Sequence, residues 1–282
     1  MRPLYILASR ILIIFGVVVI ALSLVSVAHA KKSDKSDDAA ASNNVPDAAA
    51  FKPNTDPIFH ITPASERPKI DGKLDDDIWK RAVKVGNFTE IQPGENIRPQ
   101  VQTEAYFAYD EDNFYAAFIC HESTTGDIRA TITDRDGMFS DDYVGIMIDT
   151  FNDQQNAYEF FVNPHGVQGD LRRTGNHEDS SYDAVWSSGG EINGSNWTAE
   201  IAIPFRSIRF PDAESQSWGM HIIRNRPRDS REQHSWVPIS RDETCLFCDA
   251  GTINGLNGIN IGKNLEILPY VIGSQYGGCL LY

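Results

Sequence analysis

From Val83 to Ile223 the chain repeats one pattern. Short runs rich in β-branched and aromatic residues are each bounded by Asp, Asn, Gly or Pro. Residues 101–109 tend to alternate apolar with polar side chains, residues 110–113 supply turn chemistry, and residues 114–120 return, which predicts a hairpin. Similar runs follow at 143–148, 158–162, 197–203 and 218–223. Strands this short and closely spaced can bury their apolar faces only in a sandwich or barrel. The expected class is therefore all-β, an antiparallel, jelly-roll-like β-sandwich. One short N-terminal helix is predicted at 75–82, where acids lead and basic residues follow, as the helix dipole prefers.

The flanks differ in character. Arg2 and Arg10 precede an apolar stretch that ends in Ala28, His29 and Ala30, the order of a secretory signal. Cleavage after Ala30 is expected, with an uncleaved anchor as the alternative. Residues 31–57 are dominated by Lys, Ser, Asp, Ala, Asn and Pro, a composition unable to bury enough surface to order itself, and read as a flexible linker. Residues 58–240 form the expected sandwich and 241–282 a cysteine-containing loop with a short extra piece.

With 39 acidic against 25 basic side chains and a formal net charge of −14, nucleic acid and anionic lipid are poor partners. Neutral sugars or cations such as calcium suit that balance better. In an oxidising compartment, Cys245 and Cys248 read first as a local disulfide; half of a metal knuckle is the alternative. The sequence contains no HExxH, GxSxG, Walker loop or GxGxxG after a strand. Carboxylates are plentiful, but a glycosidase pair is defined by separation in space.

A more specific signal lies in an ordered series: Lys69-Ile-Asp-Gly72 followed by Trp79, Tyr109-Asp110 with Asn113-Phe-Tyr115, Asp141-Asp142 ahead of Val144, Tyr158 through Pro164, Trp197 through Phe205, and Trp218-Gly219. This series resembles the family 9 carbohydrate-binding modules from about Ile61 to Arg226. The resemblance implies a β-sandwich that binds polysaccharide or oligosaccharide. Residues 255–270 are similar to the junction at which such a module precedes a carboxy-terminal outer-membrane β-barrel, and 271–276 read as a first barrel strand. A truncated member or a naturally short one are both open, and outer-membrane association is implied.

Sugar binding needs flat apolar faces flanked by hydrogen-bonding groups. Trp79, Trp197 and Trp218 are assigned to the core. Trp186, beside Tyr182 and Asp183 in a polar loop, and Trp236 are the stacking candidates, with packing of Trp186 beneath its own loop equally open. Arg135, Asn163 and Arg224 are candidates to bind sugar hydroxyls, against a default of structural hydrogen bonding. Asp136, Asp141 and Asp142 surround a glycine turn and suit a hard cation; calcium accompanies the family, and a solvated acidic loop is the alternative. His165, His177 and His234 lack ligand spacing and are expected at the surface. These features point to an exported, non-catalytic glycan-binding module in the periplasm or outer membrane of a Gram-negative bacterium, serving a partner hydrolase or transporter. The alternatives are an interaction domain of a barrel protein without sugar binding, and part of a glycoside hydrolase.

Overall fold

A computed structural model describes residues 51–242, 244–259 and 269–273. The expected signal and the residues up to 50 lie outside this range, as does the barrel-like strand, apart from Val271–Gly273, which are exposed.

The smaller sheet has the order β11 (Ser187–Asn193), β12 (Asn196–Pro204), β6 (Asn113–His121), β5 (Thr103–Tyr109) and β2 (Thr62–Pro63), with β3 (Val83–Val85) also on β5. The larger runs β1 (Ile58–His60), β15 (Gly251–Asn257), β13 (Ser215–Pro227), β7 (Tyr143–Asp149), β8 (Asn156–Val162), β9 (Gln168–Thr174) and β10 (His177–Asp179). Off that path, β14 (Arg231–Ser235) bridges β13 to β4 (Thr89–Gln92). The predicted hairpin is the β5–β6 pair, and the helix shortens to α1, Asp77–Arg81.

Alternation along the strands decides what meets between the sheets. Phe107, Phe114, Phe118, Trp197 and Ile201 of the smaller sheet face Ile146, Ile148, Phe160, Trp218, Met220 and Ile222 of the larger, all fully buried. Each such side chain contributes roughly 1.5–3 kcal/mol through burial. The aromatic seam between layers includes Phe114 on Trp218, with centroids 6.2 Å apart.

The Ile-Asp-Gly signal has a structural cause. Glu200 on the outer face of the smaller sheet accepts the Asp71 and Gly72 amides at 3.0 and 2.8 Å through one oxygen and the Trp79 indole N–H at 2.7 Å through the other. The turn lies so close to β11 that a Cβ on Gly72, whose φ is +88°, would sit 2.6 Å from the Gly190 carbonyl carbon. Hence the glycines of the strand Ser187–Asn193: a Cβ at Gly189 would meet the Asp71 and Gly72 backbone, and one at Gly190 the backbone of Asn163, Pro164 and Gly166.

The structure moves two expected boundaries. Residues 51–57 are tied down in part: Asn54 donates to the Trp236 carbonyl at 2.8 Å. The sandwich also continues past residue 240, because β15 is interior to the larger sheet and buries Ile253 and Leu256 completely. Ile239, Leu246 and Phe247, from the segment between β14 and β15, pack over the sheet's outer face.

Candidate functional site

That outer face carries a second apolar cluster, including Met138, Tyr143, Met147, Phe161, Leu171, Ile223 and Phe247, with Phe139, Ile239 and Leu246 packed against it. The loop is fixed in three ways. Cys245 and Cys248 are disulfide-bonded, the first of the two readings of their spacing. His221 of β13 pairs through Nε2 with the Leu246 carbonyl at 2.7 Å, and its ring meets Phe247 edge-on. Burial lowers the His221 pKa to about 4, so the ring is neutral at physiological pH and Nε2–H is the donor. On the other side, Asn96 donates to the Ile239 carbonyl at 3.2 Å and accepts its amide at 3.1 Å.

Between these walls opens a groove of about 360 Å³, lined by Arg173, Asn176, Pro238, Ile239, Ser240, Thr244, Cys245, Leu246 and Asp249. Its volume lies in the range of small-ligand sites. Its lining combines apolar surface from Pro238, Ile239 and Leu246 with the hydrogen-bonding side chains of Arg173, Asn176, Ser240, Thr244 and Asp249. Arg173 is anchored by Glu159 at 2.6 Å and by Glu178, while Asn176 and Asp249 are exposed and adaptable.

The stacking candidates are placed differently from expectation. Trp186 is 6% exposed and meets Phe160 edge-on, and Trp236 is 3% exposed, wedged against Phe59 and beneath Gly251. All five tryptophans are therefore buried. The polar loop around Trp186 conceals this in sequence because the loop folds inward: Ala184 N–H donates to Asp170 at 2.7 Å and Gln168 to the Trp186 carbonyl at 3.0 Å. Arg135 completes the same tie, donating to Asp170, Gln168 and the Ala184 carbonyl at 2.7, 3.1 and 2.7 Å. Tyr182 is half-buried on Tyr158, its hydroxyl donating to the Ser207 carbonyl.

Asn163 and Arg224 are likewise structural. Asn163 is fully buried, accepts the His165 and Val167 amides, and donates to Thr131 and Asp141. Arg224, also fully buried, donates to Thr103, Glu122 and the Gln102 and His121 carbonyls. The surface placement of His234 is corrected too: it is fully buried and pairs with Glu232 at 2.7 Å. Residues of the groove, by contrast, carried no sequence signal beyond the cysteine spacing.

Among the described residues Asp136, Asp141 and Asp142 do not come together in one cluster of carboxylates. Asp141 accepts from Thr131 N and Oγ1 and from Asn163; Asp142 accepts from the Arg129 amide and both terminal nitrogens of Arg228. Asp136 does approach Asp170 and Asp183, but the Arg135 guanidinium bridges Asp170 and Asp183, so a cation is already supplied by the chain. Calcium prefers six to eight oxygen ligands. Calcium added after chelation is expected to leave the melting temperature unchanged; a rise of several degrees at millimolar calcium would contradict this assignment.

The two packed sheets define a β-sandwich. Residues 70–252 match the family described as carbohydrate family 9 binding domain-like, and the chain belongs to that family. A search of curated proteins returned no match. Among solved structures, a Bacteroides uniformis protein provisionally described as carbohydrate-binding superposes with a TM-score of 0.58 at 10% identity, covering 71% of this chain and 99% of that one. A carbohydrate binding module family 9 from Caldicellulosiruptor kristjanssonii, in complex with glucose, gives a TM-score of 0.51 at 13% identity over 71% of this chain and 96% of that one.

Proposed function

We propose that this domain is a non-catalytic saccharide-binding module of an exported bacterial protein, holding neutral glycan segments in the groove beside the Cys245–Cys248 loop for a partner hydrolase or transporter. The observation that carries this reading is the groove itself: apolar walls combined with Arg, Asn, Asp, Ser and Thr, on a sandwich of this family. The sequence adds an export signal and a carboxy-terminal resemblance to outer-membrane proteins, which support a periplasmic or surface location.

Calorimetric titration of the full mature chain with a panel of neutral oligosaccharides tests it. Asn176→Ala and Asp249→Ala are each expected to weaken binding about tenfold, the loss of one hydrogen bond to a ligand hydroxyl being worth ~1.4 kcal/mol. Because all five tryptophans are buried, an interaction domain without sugar binding is the competing reading. It is favoured if no neutral oligosaccharide binds.

A further inference from the structure

A second cleft, of about 260 Å³, opens where the larger sheet extends past the sandwich core. Its lining includes Thr150, Phe151, Asp153, Tyr158, Arg172 and Arg209. Phe151 is 48% exposed, which an aromatic ring in contact with water does not gain from. Arg172 lies directly opposite Tyr158 in the β8–β9 register, so the two side chains share one face. Arg209 is brought to the same ring from the other side, its amide donating to the Tyr158 hydroxyl at 3.2 Å and its carbonyl accepting from Thr150 Oγ1.

Both arginines are exposed, and among the described residues neither side chain makes a hydrogen bond or an ion pair. The nearby acids are turned elsewhere. Asp153 accepts from the Gln155 and Asn156 amides and the Asn156 side chain, and Asp179, opposite Arg172 on β10, accepts from Ser181 N and Oγ and feels the Arg172 charge only at longer range. In a chain of net charge −14, two guanidiniums without a direct hydrogen-bond or ion-pair partner beside an exposed ring, against the single carboxylate of Asp153, leave this cleft locally positive.

We propose that this cleft is a second ligand site selecting an anionic sugar, whose ring stacks on Phe151 while its carboxylate or sulfate is held by Arg172 and Arg209. Planar guanidiniums bind both groups by paired N–H donors. The sugar-ring part rests on the reading of the domain as saccharide-binding; the anion preference rests on this cleft alone.

The test compares the full chain with its Arg172→Gln/Arg209→Gln variant. The ligands are an oligogalacturonate, a sulfated galactan oligosaccharide, and the neutral oligosaccharide that binds wild type most tightly. Expected are binding of at least one anionic ligand that weakens as salt is raised, a tenfold or greater loss in the double variant, and unchanged neutral-sugar affinity. A stronger response to the uronate or to the sulfate identifies the anion. Equal affinity of both proteins for the anionic ligands, or no binding of either anion at millimolar concentration, overturns the proposal. If no neutral oligosaccharide binds the wild type, that result bears on the groove instead, so the two failures are distinguishable. Both replaced residues are exposed, and circular dichroism checks that the variant folds.

Discussion

Replacing Glu122 with alanine is expected to lower the folding free energy by roughly 3–5 kcal/mol, the range for removing one partner from a buried ion cluster. The Glu122 carboxylate is fully buried and meets three guanidiniums: Arg224 at 2.6 Å, Arg226 through both oxygens at 2.8 and 2.7 Å, and Arg228 at 2.9 Å. Arg226 and Arg228 have second partners in Glu232 and Asp142. Arg224 has no second carboxylate among the described residues, so loss of Glu122 leaves its charge uncompensated at 0% exposure. Burial alone would raise the Glu122 pKa, but the Arg226 hydrogen bonds and the arginine charges prevail and hold it below the usual carboxylate range. The cluster's contribution is thus fully present above the ordinary carboxylate pKa and is lost as pH falls below it, through the depressed folded value. Urea unfolding of wild type and Glu122→Ala at pH 7 measures the effect; a difference under about 1 kcal/mol would be incompatible with a cluster that organises this end of the sandwich.

The second large effect is expected at Glu200. Glu200→Ala orphans the Asp71, Gly72 and Trp79 N–H groups, with a cost of about 3 kcal/mol given 1–3 for each unsatisfied buried donor and partial relief by water. Burial pushes the Glu200 pKa up to about 7 against the pull of those donors. An acid whose folded pKa exceeds its unfolded value stabilises most below the unfolded value, and that stability is lost as pH rises towards 7. Melting temperature measured from pH 5 to 8 should therefore decline more steeply in wild type than in Glu200→Gln. Parallel profiles would show that Glu200 does not titrate in this interval.

These two acids show where sequence and structure part company. The strand runs, the hairpin and the core roles of Trp79, Trp197 and Trp218 were legible because period-2 alternation and aromatic content are local properties. Glu122 and Glu200 looked like any other acids, since their partners come from distant segments. Trp186 was misleading for the same reason: its neighbours in sequence are polar, yet Gln168, Asp170 and Arg135 satisfy that loop and turn the indole inward. The strand Gly251–Asn257 was missed because it lies in the region assigned to the cysteine-containing loop and the junction beyond it, although Gly251 is required where Trp236 crosses it. The groove was the least visible feature, assembled from the β9–β10 turn, the segment after β14 and the disulfide loop. Only the last carries a pattern, Cys-x-x-Cys, and that pattern speaks of closure rather than of a ligand.

The central claim concerns the place at which a neutral sugar is held. A crystal structure of the full mature chain with its tightest-binding neutral oligosaccharide tests it most directly. A sugar ring lying between Leu246 and the 238–240 wall, with hydroxyls bonded to Asn176 and Asp249, is the predicted result; a ring stacked on Trp186 or Trp236 would contradict it.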